Sequence, residues 1–456
     1  MRPYQSINPA TGVKIKDYPL ASDKEIEDAL VTSYQSSNKW MLTSFNQRRN
    51  ILNSVIEKLE ENRNELSLLM TQEMGKPISQ SIAEIDKCKS VISYYADNAE
   101  NFLKDEPVLD DQGKKLAYIN CQPMGVVLAI MPWNFPCWQL FRFLAPAVMA
   151  GNVVIMKHAE NVPGTAEMLT NIFHQAGFEK GLFQNIFASH QQIQTIIKDS
   201  RVAGVTFTGS TEAGRKIGVQ AASSFKKSVL ELGGSDPYIV LEDADIDLAA
   251  GSILDSRTIN NGQSCIAAKR AIVSDRVYEK FCKVIVEKAK KYQLGNPEAQ
   301  DCLLGPLARK DLLENLNRIY QASLNEGATE IFKSETNMHQ GYYFPLTILS
   351  NVTKEMTCFK EETFGPLLSI SKASSEEQAI SLATNTKFGL GAAIFSKNID
   401  RCKNIATKLP FGSIAINGFV KSNPFVPFGG LKESGLGKEL GKDGIHEFVY
   451  KKSILV

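Results

Sequence analysis

GVVLAIMPWNFPCWQLFRFLAPAVMAGNVVIMK, residues 125–157, is the stretch on which the fold turns. Val126–Met131 is a short apolar run that reads as a buried strand, Leu140–Met149 reads as a helix, and Val153–Met156 as a second strand. The alternation continues downstream with a helix at Thr165–Ala176, a strand at Val205–Thr208, a helix at Thr211–Ala222 and a strand at Tyr238–Leu241. Strand and helix in turn, with turn residues between them, predict an α/β fold built on a parallel sheet with crossover helices. A second alternation opens near Arg270, with a strand at Ala271–Val273 and a long helix at Val277–Tyr292. Upstream the pattern is helical. Asp23–Trp40 opens on an Asp or Ser cap and carries Ile26, Ala29 and Leu30 at helical spacing. Arg48–Met74 repeats the pattern and is stopped by Gly75 and Pro77, and Ile78–Leu103 reads as a third helix. The polar stretch Asp105–Lys115 is the best place for the chain to leave its first domain.

A chain of 456 residues allows roughly three units of about 150 residues each. With a formal net charge of +1 there is no bulk attraction to nucleic acid or to an anionic membrane, so recognition has to be local. The eight cysteines form no CxxC pair and the five histidines are scattered, which argues against a metal site and against a secreted disulfide framework. A reducing, cytoplasmic setting is expected. The opening MRPYQSINPATG lacks the basic-then-apolar pattern of a signal peptide, and the longest apolar runs are too short to span a bilayer.

Four motifs carry chemistry. Phe207–Gly218, FTGSTEAGRKIG, runs from a strand through a glycine turn into a helix, whose free N–H groups suit a phosphate. It is neither a P-loop, since Arg215 and Lys216 follow Gly214, nor a GxGxxG fingerprint, and alone it reads as an ordinary capped turn. PWNFP (132–136) places Asn134 in a loop stiffened by two prolines, where its amide can donate to a developing oxyanion or simply satisfy its own loop. LELGG (230–234) sets Glu231 at a strand end, where burial raises a carboxylate toward the range of a general base; a capping role is the alternative. NGQSCIAA (261–268) surrounds Cys265 with small residues that let a substrate approach; the thiolate is the reactive form, and a buried inert thiol is the alternative.

Together with EETFGP (361–366) and PFGG-x-K-x-SG-x-G (427–437), these motifs resemble the aldehyde dehydrogenase superfamily, in the family's order, from INPATG (7–12) to the C-terminus. The resemblance implies a Rossmann-like cofactor domain, an α/β catalytic domain and a small β oligomerisation arm. The expected boundaries are 1–105 and 124–231 for NAD(P) binding, 232–433 for catalysis, and 106–123 with 434–456 for the arm. It also implies a homodimer or homotetramer.

By the same resemblance Cys265 is the nucleophile, Glu231 the base that activates hydrolytic water, and Asn134 with the Cys265 N–H the oxyanion hole. Met131, Trp133, Lys157, Gly209, Ser210, Leu232, Glu362 and Phe364 match cofactor positions, and no metal is implied. Glu160 lies where relatives choose between nucleotides; a carboxylate there accepts from ribose hydroxyls and repels a 2′-phosphate, so NAD is expected to be preferred, with NADP possible. The segments PWNFPCWQLFRFLAP and NNGQSCIAAKR look most like the short bacterial succinate-semialdehyde dehydrogenases. In that reading Arg142, sharing a helix face with Trp138, clamps the substrate carboxylate, aided by Ser264 and Ser422. A surface salt bridge is the alternative for Arg142. Other ω-carboxylated or aliphatic aldehydes, and a CoA-acylating reaction, stay open; the base at Glu231 favours hydrolysis. Ala267 stands where some relatives carry a second cysteine, so that local disulfide switch is missing.

Overall fold

Ser22 and Ser44 each form a capping box, with Glu25 and Gln47, and so fix where the first two long helices start. The computed structural model describes residues 3–336, 338 and 340–456; the first two residues of the MRPYQSINPATG stretch lie outside it. An antiparallel pair, β1 (Tyr4–Asn8) and β2 (Val13–Tyr18), precedes α1 (Asp23–Trp40), α2 (Phe45–Glu61), α3 (Arg63–Met74) and α4 (Ile78–Phe102). The single helix expected over 48–74 is therefore two. The Asn62 side chain donates to the Lys58 carbonyl at 2.8 Å and its backbone leaves helical geometry, because a short amide competes with the backbone for hydrogen bonds.

Next come β3 (Glu106–Leu109), β4 (Lys115–Pro123), β5 (Val126–Ile130), α5 (Trp138–Ala150), β6 (Val153–Lys157), α6 (Pro163–Gln175), β7 (Phe183–Asn185), α7 (His190–Lys198), β8 (Val202–Thr208), α8 (Thr211–Ser223) and β9 (Lys227–Glu231). Strands β9, β8, β5, β6 and β7 lie side by side in that order, all parallel. Every residue of β5 and β6 is buried, which is why both read as unbroken apolar runs. The helix expected at Leu140–Met149 starts two residues earlier, at Trp138. The buried Glu84 carboxylate of α4 accepts the Cys137 and Trp138 N–H groups, both at 2.8 Å, and caps it.

The second half holds β10 (Asp236–Val240), α9 (Ile246–Thr258), β11 (Ala268–Ser274), α10 (Tyr278–Ala289), α11 (Lys310–Asn325), β12 (Thr329–Lys333), β13 (Thr347–Ser350), α12 (Thr357–Lys360), β14 (Leu367–Ala373), α13 (Glu376–Thr384), β15 (Phe388–Gly389), β16 (Gly391–Phe395), α14 (Ile399–Ala406) and β17 (Ser413–Ile416). Its sheet runs β12-β13-β14-β11-β10-β16-β17, parallel except for β12. The chain ends with β18 (Leu431–Lys432), β19 (Gly435–Leu436), α15 (Gly441–His446) and β20 (Val449–Leu455). β20 and β3 flank β4 in a three-stranded antiparallel sheet. β19, grouped with the arm on sequence grounds, instead pairs antiparallel with β9 and adds an edge to the first sheet. Among the described residues no helix is long and apolar enough to cross a membrane.

Candidate active site

The loop between α9 and β11 carries Cys265, and its backbone is unusual. Asn260, Asn261 and Gly262 are left-handed in succession, with φ of 55°, 56° and 76°. Asn and Gly are the residues that enter this region most readily; other side chains lose about 1–2 kcal/mol there. Each side chain is pinned. Asn260 donates to the Asn134 carbonyl at 2.6 Å. Asn261 donates to the Gly75 and Pro306 carbonyls at 2.8 and 2.9 Å and accepts the Gly305 N–H at 2.8 Å. Gln263 accepts the Ala308 N–H at 2.9 Å. Ser264 and Cys265 follow at the floor of a cavity of about 490 Å³, with the thiol partly exposed to it. Burial pushes the Cys265 thiol up to about 11, against the opposing pull of Arg142 and Lys269, so the resting group is a thiol at neutral pH.

Asn134 comes to the Cys265 loop from the loop after β5. Its amide nitrogen donates to the Gln263 carbonyl at 3.1 Å, which spends one of its two N–H bonds. The loop is held by His158, whose Nδ1 accepts the Ala159 N–H at 2.9 Å; Nε2 therefore carries the proton and donates to the Pro136 carbonyl at 2.9 Å. Burial takes His158 down to about 4, so the ring stays neutral.

Glu231, at the end of β9, is buried. Burial lifts its carboxyl well above the usual range, Arg142 opposes the shift, and the charge of Glu439 adds to it. Arg142 is also buried: its Nε is ion-paired with Glu439, its Nη2 lies 3.9 Å from Glu231, and its guanidinium stands 4.9 Å from the Phe428 ring centroid. The surface salt bridge entertained for Arg142 is thus replaced by an interior one, reached because α5 points this residue inward.

The carboxyl ends of the parallel strands β5, β6, β8 and β9 form the edge where α/β sheets take ligands. Met131 is buried there and donates to the Lys157 carbonyl at 3.0 Å. Lys157 ends β6 with its ammonium almost fully buried, 3.9 Å from the exposed Glu160 carboxylate, which is itself 3.7 Å from His190. Gly209 donates to the Glu231 carbonyl at 3.0 Å, and Ser210 caps α8, accepting the Ala213 N–H at 3.3 Å. Leu232 is buried against α8, where a Cβ on Gly214 would meet it at 2.2 Å. Glu362 accepts the Gly234 N–H at 3.0 Å, and a Cβ on Gly233 would meet its carboxylate at 2.4 Å. Phe364 packs edge-on to Trp133, with ring centroids 5.7 Å apart. A capped helix start, a buried ammonium and a carboxylate held beside glycines fit a dinucleotide: anion at the helix, ribose hydroxyls at Lys157 and Glu362. Among the described residues no cluster of His, Cys, Asp and Glu could hold a metal ion.

The Aldehyde dehydrogenase family pattern matches residues 1–454. The chain belongs to the aldehyde dehydrogenase family. It is an NAD(P)-dependent aldehyde oxidoreductase. Among its relatives, the NAD(P)+ succinate semialdehyde dehydrogenase Sad of Escherichia coli (strain K12) is 41% identical over 443 residues, 97% of this chain and 96% of that protein. The NADP(+) succinate-semialdehyde dehydrogenase 1 of Mycobacterium tuberculosis (strain ATCC 25618 / H37Rv) is 39% identical, covering 100% of both chains. A crystal structure of succinic semialdehyde dehydrogenase from Streptococcus pyogenes with NADP+ superposes with a TM-score of 0.96 at 35% identity, covering 99% of each chain. These names carry NADP or NAD(P), so the expected preference for NAD draws no support from them.

In this aldehyde dehydrogenase the structure adds four residues that sequence reading passed over. Glu439 shares the pocket of Arg142 and Glu231; its only signal was its place just after the SG-x-G motif. Lys269 donates to the Cys265 carbonyl at 2.6 Å and meets Glu362 at 2.9 Å, tying the Cys265 loop to Glu362. Glu84 caps α5 and pairs with the buried Lys76. Lys87, one turn along α4 from Glu84, lines the cavity with Trp138, Arg142, Ser264 and Ser422. On α4 both charges read as the solvated face of an amphipathic helix, because nothing local reveals that α5 packs over them.

Proposed function

We propose that the enzyme oxidises succinic semialdehyde to succinate. The observation that carries this reading is the charge of the cavity. Lys87, Arg142 and Lys421 line it against one carboxylate, Glu84, and Glu84 is already taken by Lys76 and the start of α5. Phe135, Trp138, Phe419 and Phe428 give the same cavity an apolar middle. A short aldehyde with a carboxylate at its far end suits both features, and the relatives' names agree.

In the reaction so read, the Cys265 thiol gives its proton by way of Glu231 to solvent, and the sulfur attacks the aldehyde carbon. The oxyanion is met by the remaining Asn134 amide N–H and by the Cys265 backbone N–H, which donates to no other group among the described residues. A bound nicotinamide cofactor would accept the hydride. The thioester left on Cys265 is hydrolysed by water whose proton goes to Glu231, releasing the carboxylate and restoring the thiol. A carboxyl raised by burial is a stronger base than a solvated one, which suits that task. Arg142 keeps the group ionisable by opposing the shift. The presence of this base weighs against CoA as the acyl acceptor.

For the cofactor, Glu160 disfavours a 2′-phosphate while Lys157 and His190 beside it soften that bias, so in this reading both nucleotides serve, with NAD ahead. The oligomer expected from the family would use the β20-β4-β3 sheet, where Tyr450 and Leu455 are exposed; light scattering on the purified protein checks it. Eight free thiols suit a reducing cytoplasm.

The test is formation of reduced cofactor from NAD and NADP with succinic semialdehyde, glutaric semialdehyde, propanal and benzaldehyde. A clear preference for the carboxylated aldehydes is expected. Equal efficiency on the uncharged ones would refute the substrate assignment.

A further inference from the structure

Ser422 sits between two obligate donors. Lys87 Nζ donates to its Oγ at 2.8 Å, and Trp138 Nε1 donates to the same oxygen at 3.0 Å. An ammonium and an indole N–H can only donate, so both lone pairs of the hydroxyl are in use and its own proton has to be given to something else. Lys87 rests on the Trp138 ring, 4.0 Å from the centroid. Among the described residues no carboxylate lies within ion-pair distance of Lys87, in contrast to Lys76, paired with Glu84, and Arg142, paired with Glu439. Two ammonium N–H bonds and one hydroxyl proton therefore converge on the cavity without a partner of their own. A carboxylate with two oxygens matches that set.

We propose that Lys87 is a specificity-determining residue of this enzyme: its ammonium and the Ser422 hydroxyl together hold the far carboxylate of the substrate in the cavity. The proposal rests on the reading of succinic semialdehyde as substrate and names the group that selects it. Arg142 lines the same cavity, ion-paired with Glu439 and 3.9 Å from Glu231, and adds its charge beside the anchor.

Burial takes Lys87 down to about 8, with the charge of Arg142 next in effect. The groups facing it are Arg142 from α5, Lys421 from the segment before Ser422, and Glu84 and Cys88 on its own helix. Its charge is therefore lost within a working pH range, and an arginine in its place would keep the charge.

The experiment compares wild type, Lys87→Met and Lys87→Arg on succinic semialdehyde and on butanal, which has the same carbon count and no charge. In Lys87→Met the KM for succinic semialdehyde is expected to rise about 10–100-fold with a much smaller change in kcat, as loss of a hydrogen-bonded charge predicts. The preference over butanal falls by the same factor, and Lys87→Arg restores most of it. In wild type that preference declines as pH rises through about 8, while in Lys87→Arg it stays flat. The ratio of the two substrates cancels the ionisation of Cys265 and Glu231, which both reactions share. If Lys87→Met keeps the wild-type preference, or loses kcat equally on both aldehydes, Lys87 is not the anchor, and the substrate reading still stands. If wild type itself does not favour succinic semialdehyde over butanal, the substrate reading fails and the anchor with it.

Discussion

Two cations that line one cavity stand in opposite surroundings. Arg142 is among acids, ion-paired with Glu439 and 3.9 Å from Glu231, all three buried. Lys87 meets only a hydroxyl and an aromatic face. A cation between two carboxylates biases their protonation. A cation without an acid is an unmet demand for an anion. In the proposed reading Arg142 is tied to the base and Lys87 to selection, although the two stand on packed neighbours, α5 and α4.

Glu231→Gln breaks the acid-surrounded side of the comparison most directly. Steady turnover is expected to fall by about 10²–10⁴-fold, since a general base is lost, while a single burst of reduced cofactor, equal to the enzyme present, survives. Equal loss of burst and steady rate, seen by stopped flow, would contradict the role. Arg142→Met removes the shared cation and leaves two buried carboxylates. Breaking a buried pair from one side costs about 3–5 kcal/mol, measurable as a lower denaturant midpoint. It also sharpens the comparison through pH. Arg142 pulls the Glu231 pKa down, so in its absence the rising limb of kcat, which needs ionised Glu231, moves to higher pH. An unmoved limb would separate Arg142 from the base. The smallest effect lies at the cofactor edge, where charges again sit in contact: Glu160→Ser is expected to shift the NADP-to-NAD efficiency ratio upward by about threefold to tenfold, the scale of one screened charge pair. A ratio that does not rise would remove Glu160 from nucleotide choice.

The alternation of strand and helix was readable because β5 and β6 are buried on both faces, and burial on both faces leaves no polar residue to blur the pattern. Helix limits were less readable where one side chain decides them. Asn62 splits a continuous apolar stripe, and Glu84, more than fifty residues away, caps the start of α5. Residues inside short motifs, such as Cys265, Glu231, Asn134 and Glu362, announced themselves by their glycine and proline neighbours. Lys87, Glu84 and Lys269 could not, because their meaning comes from packing across the chain. Arg142 was legible as a cavity residue from its spacing on α5, but its ion pair with Glu439 joins positions almost three hundred residues apart and has no local signature.

Asn261–Gly262 is also a chemical clock. An asparagine followed by glycine is the pair at which a free chain ages fastest, as the next backbone nitrogen attacks the side-chain amide and ammonia leaves. In the folded loop that amide is held by three hydrogen bonds, to Gly75, Pro306 and Gly305, and the backbone is fixed in its left-handed turn. The nitrogen cannot swing to the carbon it would attack. Asn261, in the loop that carries Cys265, therefore ages only while that loop is open.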